Sequence, residues 1–487
     1  MMIVWTKCQR NDLFGSFLPS ASWVSVRRWS VDMAIETQPG LARLAECVRL
    51  ADHAHASQYA RLLEEAERLL AGCTHSDLAA ARARDLAAKF ERWRYRYLGE
   101  KRGKLGQEDR SLVDALDAAA NELAGRPTRP PRAARWAIHD SSLDTESMAQ
   151  ARMCLDPAVS LEAATRQARE ITTRHFSVRP AGCSGGLKRR MRLYAPLYLS
   201  SHCVNYCAYC GFRYPQPIKR KHLSLDEAVR EAEVLLGRGF RHILLVAGDY
   251  PRLTRTDYYV AILKALTAKG ICPSIEIAPQ STDAYQQMVL AGACGITLYQ
   301  ETYSEELYAL YHPRGSKALF DWRLEALERA AEAGMPRLGL GILLGLADPR
   351  EDLFGLMRHA SYLQSRFPDR ALAFSLPRIR DAPAEFRAPC EIDDELFIRL
   401  YCALRVAFPK AELVLSTRES PALRNHLATI CITQMSAGSC TAPGGYEDAG
   451  AAAELGKQFA IEDRRSPAEV ANWLRAAGFE LRWDLGD

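Results

Sequence analysis

The densest chemistry in this sequence is three cysteines within eight residues, Cys203-Val-Asn-Tyr-Cys207-Ala-Tyr-Cys210. Three thiolates on one tight loop can hold three irons of a cubane cluster and leave the fourth iron without a protein ligand. An iron left open in this way can bind an external molecule and react with it. A zinc knuckle is the alternative, but it wants four ligands, and His202 supplies the fourth only awkwardly from beside Cys203. The crowding points to a reducing compartment rather than a disulfide framework. Most of the 14 cysteines stand alone in apolar surroundings, and Cys47, Cys272, Cys294, Cys402 and Cys431 read as small buried hydrophobes.

The elements that must position this loop surround it in regular alternation. Short apolar or β-branched runs occur at Leu193–Leu199, His242–Ala247, Ser274–Ala278, Ile296–Gln300, Leu338–Gly345, Ala371–Leu376, Glu412–Ser416 and Ile430–Gln434. Helical periodicities lie between them, such as Leu225–Leu236, Asp257–Ala268, Asp321–Ala333, Asp352–Gln364 and Asp393–Ala407. Eight strands alternating with helices predict an α/β chain of parallel units, closed or partly closed as a (β/α)8 barrel. Chemistry in such barrels sits at the C-terminal ends of the strands.

The remaining candidates fall at those ends. Gly248-Asp249 closes the second strand, and Glu301 follows the fourth in Tyr299-Gln-Glu-Thr-Tyr303. Arg323, in Asp321-Trp-Arg-Leu324, opens the next helix and can pair with a carboxylate. Gly341 allows close approach to a flat ligand, or belongs to an ordinary core strand. Arg378 and Arg380 close the sixth strand, Arg418 the seventh and Ser436 the last, while Tyr198 precedes the cysteines by five residues. The bland alternatives are a loop acid for Glu301 and surface ion pairs for the arginines.

The spacing C-x3-C-x2-C with Tyr209 before the last cysteine resembles the radical S-adenosylmethionine (SAM) superfamily. A narrower resemblance runs from about residue 150 to the end. It rests on Pro196-Leu-Tyr-Leu-Ser, Cys-Gly-Phe after the cluster, Ile218-Lys-Arg-Lys, Tyr299-Gln-Glu-Thr-Tyr, Trp322-Arg-Leu-Glu, Leu415-Ser-Thr-Arg-Glu-Ser, Met435-Ser-Ala-Gly-Ser and Pro443-Gly-Gly-Tyr. These phrases are similar to those of the ThiH-type aromatic amino acid lyases. The resemblance implies a [4Fe–4S] cluster on Cys203, Cys207 and Cys210, and SAM held around Tyr209, Gly248, Asp249, Glu301, Arg323 and Gly341. It implies a free aromatic amino acid near Tyr198, Arg378, Arg418 and Ser436, with Arg418 on its carboxylate. Abstraction of an amino hydrogen would then split tyrosine into p-cresol and dehydroglycine (2-iminoacetate) for thiamin thiazole formation. A tryptophan lyase of a natural-product pathway shares the phrases, and a non-catalytic iron–sulfur protein is the alternative of another class. A hydrogenase-maturation role calls for a second three-cysteine site, and only Cys440 follows the last expected strand. The resemblance further implies reduced ferredoxin or flavodoxin as electron donor and a thiazole synthase as partner.

The whole chain bounds these readings. Its 487 residues suggest two to three units, and 48% hydrophobic with 25% charged residues is ordinary for a globular protein. A net charge of +5, scattered along the chain, is no argument for nucleic acid, and no run approaches the roughly 20 apolar residues that span a membrane. Residues 1–32 are irregular, with a transit peptide and a later start at Met33 both open, and the expected location is the cytoplasm. Residues 33–124 read as a helical domain of unknown role, foreign to typical ThiH-like chains, and 125–150 as a Pro/Arg-rich linker. Residues 151–436 are the expected barrel and 437–487 a C-terminal extension of the kind shared with biotin synthase-like enzymes.

Overall fold

A computed structural model describes residues 130–486 apart from 181–185, 381, 384 and 385, together with scattered positions between 91 and 129. The chain divides into two compact units, residues 1–90 with 106–129, and residues 91–105 with 130–487. The second unit carries the barrel. Described positions within 91–98 and 110–121 are helical, whereas residues 1–32, most of the expected helical domain 33–124 and Cys47 lie outside the described residues.

Eight parallel strands close on themselves: β2 (Lys188–Ser200), β3 (His242–Ala247), β4 (Cys272–Glu276), β5 (Gly295–Thr297), β6 (Arg337–Gly341), β7 (Ala371–Ser375), β8 (Glu412–Leu415) and β9 (Gln434–Ser436), with β9 returning to β2. The thirteen-residue β2 also pairs near its start with the short antiparallel β1 (Ser177–Val178) and the parallel β10 (Glu480–Arg482). The helices between strands begin where their sequences cap them. Ser224 and Glu227 form a capping box for Leu225–Gly237, and Ser420 accepts from the Leu423 N–H above Pro421. Register across the first three strands aligns Tyr198 with Val246 and Val246 with Glu276. These three side chains therefore form one row near the C-terminal rim.

The barrel floor is polar but connected. His242 lies between the Ser274 hydroxyl (3.0 Å) and the Gln434 amide (3.1 Å), and Arg337 donates to Gln434 at 2.5 Å. Arg192 pairs with Glu412, which also accepts from Thr433 Oγ1 at 2.7 Å. Burial, aided by Arg337 and Arg192, holds the His242 pKa well below its usual value, so this layer carries a neutral imidazole.

Three expectations need correction. The last strand was expected at Ile430–Gln434 and is Gln434–Ser436, because the helix Pro421–Ile430 runs to its buried end at Ile430. Residues 125–150 are no free linker from 130 onward: Ala134–Ala137 and Glu146–Cys154 are helices, and Arg132 and Arg135 are buried against the barrel. Cys272 and Cys294, read as lone thiols, form a disulfide with Cα atoms 5.9 Å apart, whereas Cys402 and Cys431 are fully buried as expected.

Arg132 and Arg135 belong to a larger ionic buttress. Arg132 pairs with Glu91 (2.9 Å) and Glu332 (2.7 Å), and Arg135 with Asp321 and Glu305 (both 2.7 Å). Arg94 and the Tyr95 hydroxyl both converge on Glu325, while Arg329 donates to Tyr95 at 2.7 Å and stacks 3.6 Å from the Trp322 ring. Most of these contacts bear on the helices Phe320–Leu324 and Ala326–Glu332 or on Glu325 between them. Arg94 and Glu325 are both fully buried, so truncating one strands the other charge in the interior. Glu325→Ala is expected to lower stability by about 3–5 kcal/mol, read as a reduced urea midpoint at unchanged slope.

Candidate active site

The cysteine loop leaves β2 and is held from four sides. Gly248 N–H donates to Ser200 O (2.9 Å) and Val204 N–H to Asp249 O (2.8 Å), which ties the loop to the end of β3. Ala208 N–H reaches Tyr311 O (3.0 Å), and Gly211 N–H reaches Gln458 O (3.1 Å) in the C-terminal extension. Asn205 is the fourth tether: its Oδ1 accepts from Lys317 N–H at 2.9 Å and its Nδ2 donates to Asp249 at 3.0 Å. Gly248 is required by this packing, since a Cβ there would sit 2.3 Å from His202 O and 3.3 Å from Cys203 Cβ. The predicted Gly turn thus serves close approach of backbone to the cysteine loop.

Cys203, Cys207 and Cys210 line one cavity of about 110 Å³ at the C-terminal end of the barrel, together with Asp249, Glu276, Glu301, Lys317, Arg323 and Gln458. Among the described residues no three His, Cys, Asp or Glu side chains converge tightly enough for a single metal ion. Three thiols spread around a shared cavity suit separate irons of one cubane. Burial raises the Cys207 pKa to about 12 and raises that of Cys210, with Lys317 acting in the opposite direction. Thiolates here require a compensating positive charge, which bound iron provides.

Glu301 is the electrostatic centre of the cavity. It sits at a positive φ of 73°, pairs with Lys317 Nζ at 2.6 Å and with Arg323 Nη2 at 3.0 Å, and is almost fully buried. Burial alone would raise its carboxyl pKa, but Lys317 and Arg323 hold it below the usual value. Arg323 also donates to Tyr299 O at 2.6 Å. Asp249 accepts from Asn205 and Ser316, yet burial keeps its carboxyl raised.

The other expected residues divide. Tyr198 is buried and donates to Gln458 Oε1 at 2.5 Å. Arg418 stacks its guanidinium 3.5 Å from the Phe459 ring and makes no ion pair among the described residues. Ser436 is buried in β9 opposite Tyr194 of β2. Tyr209 points to His312 Nε2 (2.8 Å) and packs near Lys317 and Phe386. Gly341 admits the Tyr299 ring, whose nearest atom would lie 2.4 Å from a Cβ, and it is Tyr299 rather than Gly341 that lines the cavity.

Arg378 is already engaged within the protein. Its guanidinium is taken up by Glu419 (Nε to Oε1, 3.1 Å), Asp394 (2.8 Å) and Ile392 O (2.9 Å), as a structural ion pair. Arg380 joins the same Glu419 at 2.8 Å. Sequence reasoning missed Asn205, Lys317, Gln458, Phe459 and Glu276. Glu276 alone carried a signal, as the one acid inside the expected strand Ser274–Ala278.

A parallel barrel with this cysteine loop over its C-terminal mouth has the architecture of the radical SAM enzymes. Residues 197–360 match the model of the Radical SAM superfamily, and residues 375–480 that of the Biotin and Thiamin Synthesis associated domain. The chain is 35% identical to 2-iminoacetate synthase of Salmonella typhimurium over 68% of this chain and 84% of that protein. It is 35% identical to 2-iminoacetate synthase of Escherichia coli over 71% and 88%. Among solved structures, the FeFe-hydrogenase maturase HydG from Carboxydothermus hydrogenoformans matches with a TM-score of 0.60 and 30% identity, covering 83% of this chain and 85% of that one.

The chain belongs to the 2-iminoacetate synthase (ThiH) family of radical SAM enzymes. Its cofactors are a [4Fe–4S] cluster and SAM, and the site fits them: three cavity-facing thiols for the cluster, and acids and cations beside them for the ends of SAM. The HydG match spans more of the chain than residues 130–487 supply.

Two outcomes are expected. Gly248→Ala, which must displace the cysteine loop, leaves well under half the parent iron content after anaerobic reconstitution, measured as iron per chain. Glu276 supplies a pH test, because burial raises its carboxyl to about 7. A carboxyl raised on folding stabilises most below its unfolded value, and that contribution fades as pH rises through about 7. The stability of the parent relative to Glu276→Gln is therefore expected to fall between about pH 4.5 and 7 and stay level above, read by urea unfolding across that window.

Proposed function

We propose that this enzyme cleaves free L-tyrosine into p-cresol and 2-iminoacetate. The observation that carries the reading is Arg418: a half-buried guanidinium with no carboxylate partner among the described residues, braced on Phe459, whose neighbour Gln458 lines the cavity of the cysteines. An arginine in that state is set to take a carboxylate by two parallel hydrogen bonds. The 35% identity to two 2-iminoacetate synthases over most of their length supports the same substrate class.

When bound, the reduced cluster and SAM supply a 5′-deoxyadenosyl radical. The chain's own residues do the rest by placement. Arg418 fixes the carboxylate of the amino acid, and Gln458, held by Tyr198, lines the cysteines' cavity together with Phe212. Holding the amino nitrogen close to the reacting carbon can contribute several kcal/mol through orientation alone, about 7–11 kcal/mol in the best cases. Glu301, Lys317 and Arg323 form a charged cradle that suits the carboxylate and ammonium of SAM. The single electron comes from reduced ferredoxin or flavodoxin, and a thiazole synthase takes up the imine.

The test is anaerobic. The reconstituted enzyme is given SAM, dithionite and either tyrosine or tryptophan, and its products are analysed by mass spectrometry. 5′-Deoxyadenosine with p-cresol, absent in Cys207→Ala, is the expected result; an indole product, or no deoxyadenosine with an intact cluster, overturns the reading. Arg418→Ala is expected to raise KM for tyrosine at least tenfold while SAM affinity stays within twofold, measured by steady-state kinetics and equilibrium dialysis.

A further inference from the structure

Resting on the amino acid reading above, we infer that Glu276 is a catalytic residue that binds the substrate's α-ammonium group and takes a proton from it. Glu276 ends β4 and lines the same cavity as Cys203, Cys207 and Cys210. The register of β2, β3 and β4 sets it in one row with Val246 and Tyr198, on the wall of the chamber. The other two acids of the cavity are engaged: Glu301 by Lys317 and Arg323, Asp249 by Asn205 and Ser316. Glu276 has no hydrogen-bond donor and no cation in contact among the described residues, and it remains partly open to the cavity. A carboxylate in that position, without a partner, is incomplete as a piece of protein interior.

Its surroundings say what completes it. After burial, Arg418 is the strongest influence on the Glu276 carboxyl, ahead of Glu301, Arg323 and Lys317, although the two form no ion pair. The Tyr198 phenol feels both charges, Glu276 raising its pKa and Arg418 lowering it. Burial, as the largest cause, keeps the phenols of Tyr194, Tyr198 and Tyr299 protonated. A guanidinium and a carboxylate that sense each other across a gap form complementary ends for a zwitterion. With the α-carboxylate on Arg418, the ammonium attached to the same carbon is the group of the substrate that falls closest to Arg418's counter-charge. The aromatic ring extends farther away.

The step balances without any redox partner. One N–H bond of the ammonium breaks heterolytically, its electron pair stays on nitrogen, and an O–H bond forms on Glu276. The product is a neutral amine, whose remaining N–H bonds are then available for removal of a hydrogen atom. The buried, unpaired setting makes the carboxylate a better proton acceptor than a surface glutamate.

The experiment compares ligands with and without the amino group on the holoenzyme. Dissociation constants are measured anaerobically, with cluster and SAM bound, for L-tyrosine and 3-(4-hydroxyphenyl)propanoate, and for L-tryptophan and indole-3-propanoate. Glu276→Gln is expected to weaken the amino acid 10- to 100-fold and the des-amino analogue less than twofold, and to lower kcat at saturating amino acid at least 100-fold. Glu276→Asp recovers part of both. Iron content and SAM affinity equal to the parent verify that each variant is intact; if Glu276→Gln fails that check, Glu276→Asp carries the comparison alone, with a smaller loss confined to the amino acid. Equal weakening of both ligands, or of neither, overturns this inference while leaving the substrate reading in place. A parent enzyme that binds neither amino acid overturns the substrate reading and this inference together.

Discussion

The structure depends on compensating charge in a chamber where water cannot do so. Glu301 lies between Lys317 and Arg323, all three largely buried, in the cavity that the three cysteines line. A buried charge that loses its partner costs several kcal/mol, so this triad can neither be dismantled nor moved cheaply. Its geometry is enforced from the backbone: Glu301 adopts a left-handed conformation, and Arg323 is anchored to the carbonyl of Tyr299. Residues without β-branching tolerate that conformation at a modest cost, which is recovered in the two ion pairs.

The same constraint explains why sequence far upstream is built into the barrel. Arg323 sits on a five-residue helix, too short to hold its own position. Arg135 on Asp321, and Arg94 and Tyr95 on Glu325, fix that helix and the start of the next from outside, while Arg329 of the next helix stacks back on Trp322. The C-terminal extension acts likewise on the other side. Gly211 binds Gln458 by its backbone, Tyr198 binds the Gln458 side chain, and Arg418 rests on Phe459. A cofactor site assembled from strand-end loops thus gains rigidity from segments at both ends of the chain.

How much of this was legible in the sequence follows from the range of the interactions involved. Strands β2 to β8 announced themselves because each is a local apolar run, and the cysteines because their spacing is local. The last strand was misplaced because Ile430-Cys-Ile is apolar for a helical reason, as the buried end of a capped helix. The stretch around Arg132 looked like a linker because proline and arginine usually mean exposure, and its acidic partners are scattered as far as Glu332. Arg378 and Arg418 were both arginines at strand ends, set apart in the sequence only by the phrase Leu415-Ser-Thr-Arg-Glu-Ser around the second. Only the fold reveals that Glu419 neutralises the first, while the second rests on an aromatic ring and has no ion pair among the described residues. Glu276 stood in plain view as an acid inside a strand, but its meaning required knowing that no cation among the described residues touches it.

The central claim, that the enzyme initiates its reaction at the amino group of the substrate, is tested most directly by following one hydrogen. The reconstituted enzyme is run in D₂O with tyrosine whose carbon-bound hydrogens are unlabelled, and the mass of the 5′-deoxyadenosine is recorded. The account predicts incorporation of one deuterium, because N–H positions exchange with solvent before abstraction, and none when carbon-deuterated tyrosine is used in H₂O. Deuterium arriving from a carbon position, with none from solvent, would contradict it.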